Sequence, residues 1–135
     1  MSDRLIKSIK NNNYDLVIIL GGTNDIEYLG HNDKIYNCII NLHDIILNNH
    51  YNKYNTSTLM INIPDAKTKI WRKYNLRENR EYINHKLKQY YITKKQELIN
   101  NEHKDIMFLD AYTLFPYKND DNWVDNVHPS IQGYT

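Results

Sequence analysis

The sequence predicts an α/β fold, a parallel sheet with helices on both faces. Two observations predict it. Three short apolar runs, at residues 14–20, 58–63 and 105–110, alternate with longer segments whose apolar residues recur at helical spacing. Each run is continuously apolar rather than alternating, the pattern of a strand covered on both sides in a parallel sheet.

The elements follow in order. "DRLIKSIK" places Leu5, Ile6 and Ile9 at helical spacing, and "NNN" at 11–13 ends that helix. "YDLVIIL" (14–20) is rich in β-branched residues and too short for most helices, so it reads as a buried strand. "GGTND" (21–25) is a glycine-marked turn at its end. From Asp33 to about Asn49, Ile35, Ile39, Leu42 and Ile46 form the apolar stripe of an amphipathic helix. Cys38 is expected on the apolar side of that helix, as a small core residue. "TLMINI" (58–63) is a second buried strand, stopped by Pro64. A long helix is expected over about 78–100, carrying Tyr82, Leu87, Tyr90, Tyr91, Lys94 and Leu98. "DIMFLD" (105–110) is the third strand. Pro129 can open a last helix, since its missing N–H costs nothing in a first turn.

The bulk properties bound the function. The 135 residues suit a single domain, 1–135, with neither an internal repeat nor a linker. The net charge of +1 gives no electrostatic footprint for nucleic acid. No apolar run approaches the roughly 20 residues of a membrane helix. The N-terminus lacks the apolar core of a signal peptide, so the chain as written defaults to the cytoplasm. One cysteine excludes an internal disulfide framework and a multi-cysteine zinc site.

In open sheets of this kind ligands bind beyond the carboxyl ends of the strands. Two polar clusters are expected there. In "WVDNVHPSIQGY" (123–134), Asp125 could hold the imidazole of His128 in one tautomer, the requirement of a general base. The competing reading is a chance pair on a surface loop. Zinc is disfavoured because no second histidine and no HExxH pattern accompany it. In "GGTND", Asn24 could aim an amide N–H at a developing oxyanion. The competing reading is a tight strand-to-helix turn in which Gly and Asn tolerate positive φ. Asp25 would cap or brace it.

Together the two clusters resemble the G-x-N-D and D-x-x-H-P blocks of the GDSL-type, or SGNH, hydrolases. "YDLVIILGGTND" looks like the strand that delivers the asparagine, "MINIP" the next strand, and "FLDAYTLF" the strand before the catalytic loop. The resemblance implies a three-layer α/β/α sandwich with a flavodoxin-like parallel sheet. It implies Asn24 as an oxyanion-hole donor and Gly22 as the block glycine that lets the turn approach the site. It implies Asp125 as the group orienting His128, and His128 as general base and then acid. The substrate would be a small ester or an acylated carbohydrate, and no metal or other cofactor is needed. Tyr28, Trp71, Tyr74, Tyr112 and Trp123, on loops 26–33, 64–77 and 111–124, could stack on sugar rings, although such residues more often pack.

The G-D-S nucleophile block of that family is missing from this sequence. Ser2, Ser8, Ser57 and Ser130 do not match it. About two further strand–helix units, on the order of 60 residues, are expected upstream, and the C-terminal helix looks short. A sheet without those units would leave an edge unpaired and apolar faces uncovered. The expectation is therefore a fragment of an esterase, inactive in isolation. The alternative is a degenerate, non-catalytic binding protein of the same fold.

Overall fold

The computed structural model describes residues 2–29, 31–66 and 74–114. Helix α1 (Ser2–Asn11) buries Ile9. It stops where Asn12 turns both its backbone N–H and its side-chain amide onto the Ser8 carbonyl, at 3.0 and 2.9 Å. A side chain that satisfies a last-turn carbonyl is one way of ending a helix. Strand β1 (Leu16–Ile19) follows, then a short helix α2 (Thr23–Leu29) and the amphipathic helix α3 (Asn32–Leu47). Next come β2 (Ser57–Ile61), the long helix α4 (Leu76–Glu97), β3 (Ile106–Leu109) and a single turn, α5 (Ala111–Leu114).

The three strands form one parallel sheet in the order β1-β2-β3. Val17, Thr58 and Ile106 stand in one row of the register, and Ile19, Met60 and Phe108 in the next such row. Parallel connections are right-handed, and the order never reverses. Both crossovers, through α3 and through α4, therefore fall on the same face. There Ile35 and Ile39 of α3 join Met60, Ile106, and Ile83 and Leu87 of α4 in one buried cluster. Tyr91 of α4 stacks on Phe108, with ring centroids 5.3 Å apart. Between the helices Tyr90 donates a 2.7 Å hydrogen bond to Asp44.

His43 of α3 is buried on this face, its Nδ1 2.8 Å from the Thr58 hydroxyl. Thr58 in turn donates to the Val17 carbonyl at 3.2 Å. With the hydroxyl proton spent there, His43 donates from Nδ1, and the lone pair of Nε2 is left buried without a partner. Burial pushes the His43 pKa down to about 4, although Asp44 nearby works in the opposite direction.

The opposite face lacks the cover that the apolar runs by themselves predict, and matches what is expected of a sheet without the upstream units. Leu16, Ile18 and Leu20 are exposed, as are Met107 and Leu109, so β1 is not buried on both sides. Among the described residues, the helices that cover the sheet cover one face. Cys38 is also exposed rather than part of the core. It sits on the flank of the stripe centred on Ile35, Ile39, Leu42 and Ile46, where a side chain is buried only if a neighbouring element reaches it. A third difference is α2, which occupies part of the stretch expected to be a loop at 26–33. The helix anticipated from Pro129 lies outside the described residues. Among the described residues no helix is long and apolar enough to cross a membrane.

Candidate functional site at the carboxyl edge of the sheet

Beyond β1 the chain reverses at Gly22, which has φ +103°. Only glycine adopts this conformation without strain. A Cβ built there would also come within 2.7 Å of Cδ1 of Ile63. The positive φ is what calls for glycine, and the approach to the end of the Ile63 side chain adds to it. The Gly22 carbonyl accepts the first bond of α2, from the Ile26 amide at 3.0 Å, and the Ile26 side chain is buried beneath. Asn24 follows in the first turn of α2, with its side chain exposed at the carboxyl edge of the sheet. Asp25, beside it, is exposed as well.

Beyond β2, Ile63, Asp65 and Ala66 are buried, and one face of α4 holds the segment they belong to. Asn84 closes a pair of bonds on the Ile63 backbone: Oδ1 accepts from its N–H at 2.9 Å and Nδ2 donates to its carbonyl at 2.8 Å. Asp65 forms a buried ion pair with Arg80, 3.0 Å apart, and a second contact with Arg77 at 3.2 Å. The Arg80 guanidinium lies over the Tyr112 ring, 4.1 Å from its centroid. Positions 77, 80 and 84 recur at helical spacing, so a single side of α4 presents all three.

Beyond β3, Asp110 accepts from Asn62 Nδ2 at 2.7 Å, from the Thr113 hydroxyl at 2.8 Å and from the Thr113 amide at 3.2 Å. It thereby caps α5. Burial alone would raise the Asp110 carboxyl. The bonds from Asn62 and Thr113, with Lys88 close by, outweigh burial and hold it below the usual carboxylate range. Asn62 also receives the Tyr112 amide at 3.2 Å, tying the ends of β2 and β3 together. A groove of about 190 Å³ opens beside this network, lined in part by Arg80, Asn84, Lys88, Phe108 and Tyr112.

The structure thus brings Gly22 and Asn24 to the carboxyl edge. Asp125 and His128 lie outside the described residues, as do Trp71 and Trp123. Of the aromatics expected to line a cleft, Tyr112 is occupied with Arg80. Sequence reasoning passed over Asn62, Asp65, Arg80, Asn84 and Asp110. A signal for three of them was available: Asn62, Asp65 and Asp110 stand at or just beyond the ends of apolar runs, in "MINIPD" and "FLD". Among the described residues no group of three His, Cys, Asp or Glu side chains gathers that could hold a metal ion.

No family model matches the sequence, and no curated protein matches it. A solved structure does: a putative acylhydrolase from Bacteroides fragilis NCTC 9343, with a TM-score of 0.74 and 24% sequence identity. The match covers 98% of this chain and 61% of that one, so the chain spans about three-fifths of its length. The likeness is one of fold: this is an α/β protein with a parallel sheet, similar in fold to that putative acylhydrolase.

Proposed function

We propose that this chain carries the oxyanion and acid–base parts of a GDSL-type (SGNH) ester hydrolase acting on small acyl esters or acylated carbohydrates. The observation that carries the reading is the presentation of Asn24. A turn that demands glycine at Gly22 sets the asparagine, exposed, at the carboxyl edge of a parallel sheet. The sheet belongs to a fold matched by a putative acylhydrolase, and the sequence blocks around Asn24 and His128 resemble those of this hydrolase type.

In the proposed reaction a serine hydroxyl attacks the ester carbonyl. His128, oriented by Asp125, takes the hydroxyl proton and returns it to the leaving alcohol. Asn24 donates an N–H to the tetrahedral oxyanion, an interaction worth about 10²–10³ in rate. Water then repeats the sequence on the acyl-enzyme. The serine is proposed to come from outside these 135 residues. Ser2 and Ser8 lie in α1, and Ser57 opens β2 at the opposite edge of the sheet from Asn24. Ser130 is outside the described residues. The degenerate binding protein remains the second reading, supported by the same placement of the serines.

The test is hydrolysis of p-nitrophenyl acetate. The chain as written should turn over no faster than its His128→Ala variant. Joined to a strand–helix segment bearing a G-D-S block, it should gain activity that falls about 10²–10³-fold on Asn24→Ala. A joined chain that folds yet shows no dependence on either residue would leave the binding protein as the better reading.

A further inference from the structure

We propose that Asn84 is a positioning residue for Asn24, acting through Ile63 and Gly22. The proposal rests on the reading of Asn24 as an oxyanion donor. Asn84 is on α4, separated along the chain from the turn it would govern by α2, α3 and β2, and three contacts link them. Its side-chain amide binds both polar groups of the Ile63 backbone, as a neighbouring strand would, at 2.8 and 2.9 Å. Ile63 is fully buried, and its Cδ1 and Cγ1 lie 2.7 and 3.2 Å from where a Gly22 Cβ would stand, so its side chain rests on the Gly22 backbone. Gly22 in turn receives the Ile26 amide that starts α2, and Asn24 lies between those two residues.

The chain of contacts has little slack. The Ile63 backbone is beyond the end of β2, so the sheet ladder does not hold it, and Asn84 supplies what the ladder no longer does. Gly22 has no side chain with which to adjust, and interiors transmit small shifts because they are close-packed. The oxyanion donor must sit within a fraction of an ångström of its target to act. Arg77 and Arg80 hold the next residues of the same segment through Asp65. Asn84 is the member of this set that grips the residue touching the turn.

Hydrogen exchange on the 135-residue chain tests it. The readout is the ratio of exchange at Ile26, whose amide is bonded to Gly22, to exchange at Thr58, whose amide is bonded to Asp105 within the sheet. In Asn84→Ala this ratio should rise about tenfold, the effect of losing one or two net hydrogen bonds locally. Asn84→Asp, which keeps the acceptor for the Ile63 N–H, should give a smaller rise. Ile63→Val leaves the clamp intact and removes the methyl that touches Gly22, and should also raise the ratio. A general loss of stability would speed both amides alike. An unchanged ratio in Asn84→Ala and Ile63→Val, with both variants folded, would overturn the proposal. So would a raised ratio with undiminished kcat in a joined, serine-bearing chain that does respond to Asn24→Ala. Failure of Asn24→Ala itself to lower kcat would instead remove the oxyanion reading, and the exchange ratio alone would then decide what Asn84 does.

Discussion

The two faces of the sheet are made of the same kind of residue and have opposite surroundings. On the helix-covered face Thr58, Met60 and Ile106 are all 0% exposed. On the other, Ile18 and Leu20 are each 58% exposed and Leu16 is 41% exposed, while Met107 and Leu109 at the far strand are 36% and 38%. Exposure is thus greatest along β1, one of the two edge strands of the sheet among the described residues. That edge is Leu-Val-Ile-Ile, without the charge, proline or bulge by which exposed edges are usually protected. The difference teaches that β1 has the composition of an interior strand. The topology explains which face is covered, since two right-handed crossovers in one direction place both helices on one side.

Substitutions on the two faces should have unequal effects. The largest effect is expected at Met60→Ala, which opens a cavity under α3 and α4 and should cost about 2–5 kcal/mol in urea denaturation. Nearly as large is the acid response of His43. Above pH 6.5 it is neutral in both folded and unfolded chains and adds no pH dependence. Between pH 6.5 and about 4 the unfolded chain takes up a proton that the folded one refuses, so stability falls as pH falls. The total should approach about 3 kcal/mol, and denaturation of a folded His43→Gln variant should lack that slope. Gly22→Ala comes next, at the turn beyond β1. A positive φ and the approach to Ile63 should cost about 1–3 kcal/mol. Smallest is Ile18→Thr on the open face, expected within about 0.5 kcal/mol. A loss there comparable with that at Met60 would mean that Ile18 is covered in solution, and the contrast between faces would disappear.

Much of this was legible in the sequence, for reasons that can be named. The three strands and the helices α1, α3 and α4 announced themselves by unbroken apolar runs and by the spacing of Ile35, Ile39, Leu42 and Ile46. Helix α2 did not, because seven residues with Ile26 as their buried anchor carry too little periodicity to read. The apolar runs alone describe the open face as an interior one, since a run states what a strand needs and not what covers it; the missing G-D-S block is what pointed to uncovered faces. Cys38 misled because a flank position on a helix is decided by its neighbours. At the site, the glycine pair marked the turn that presents Asn24. The clamp on Ile63 and Asp65 was not readable, because Asn84 and Arg80 are polar residues on the inward side of α4, where the pattern alone predicts apolar ones. Their partners are backbone atoms of Ile63, 21 residues from Asn84, and the carboxylate of Asp65, 15 residues from Arg80.

The most direct test of the account is the site of fluorophosphonate labelling on the chain joined to a G-D-S-bearing strand–helix segment, mapped by mass spectrometry. Stoichiometric modification of the added serine is expected, lost in His128→Ala and strongly slowed in Asn24→Ala. Label on Ser2, Ser8, Ser57 or Ser130, or labelling indifferent to His128, would contradict it.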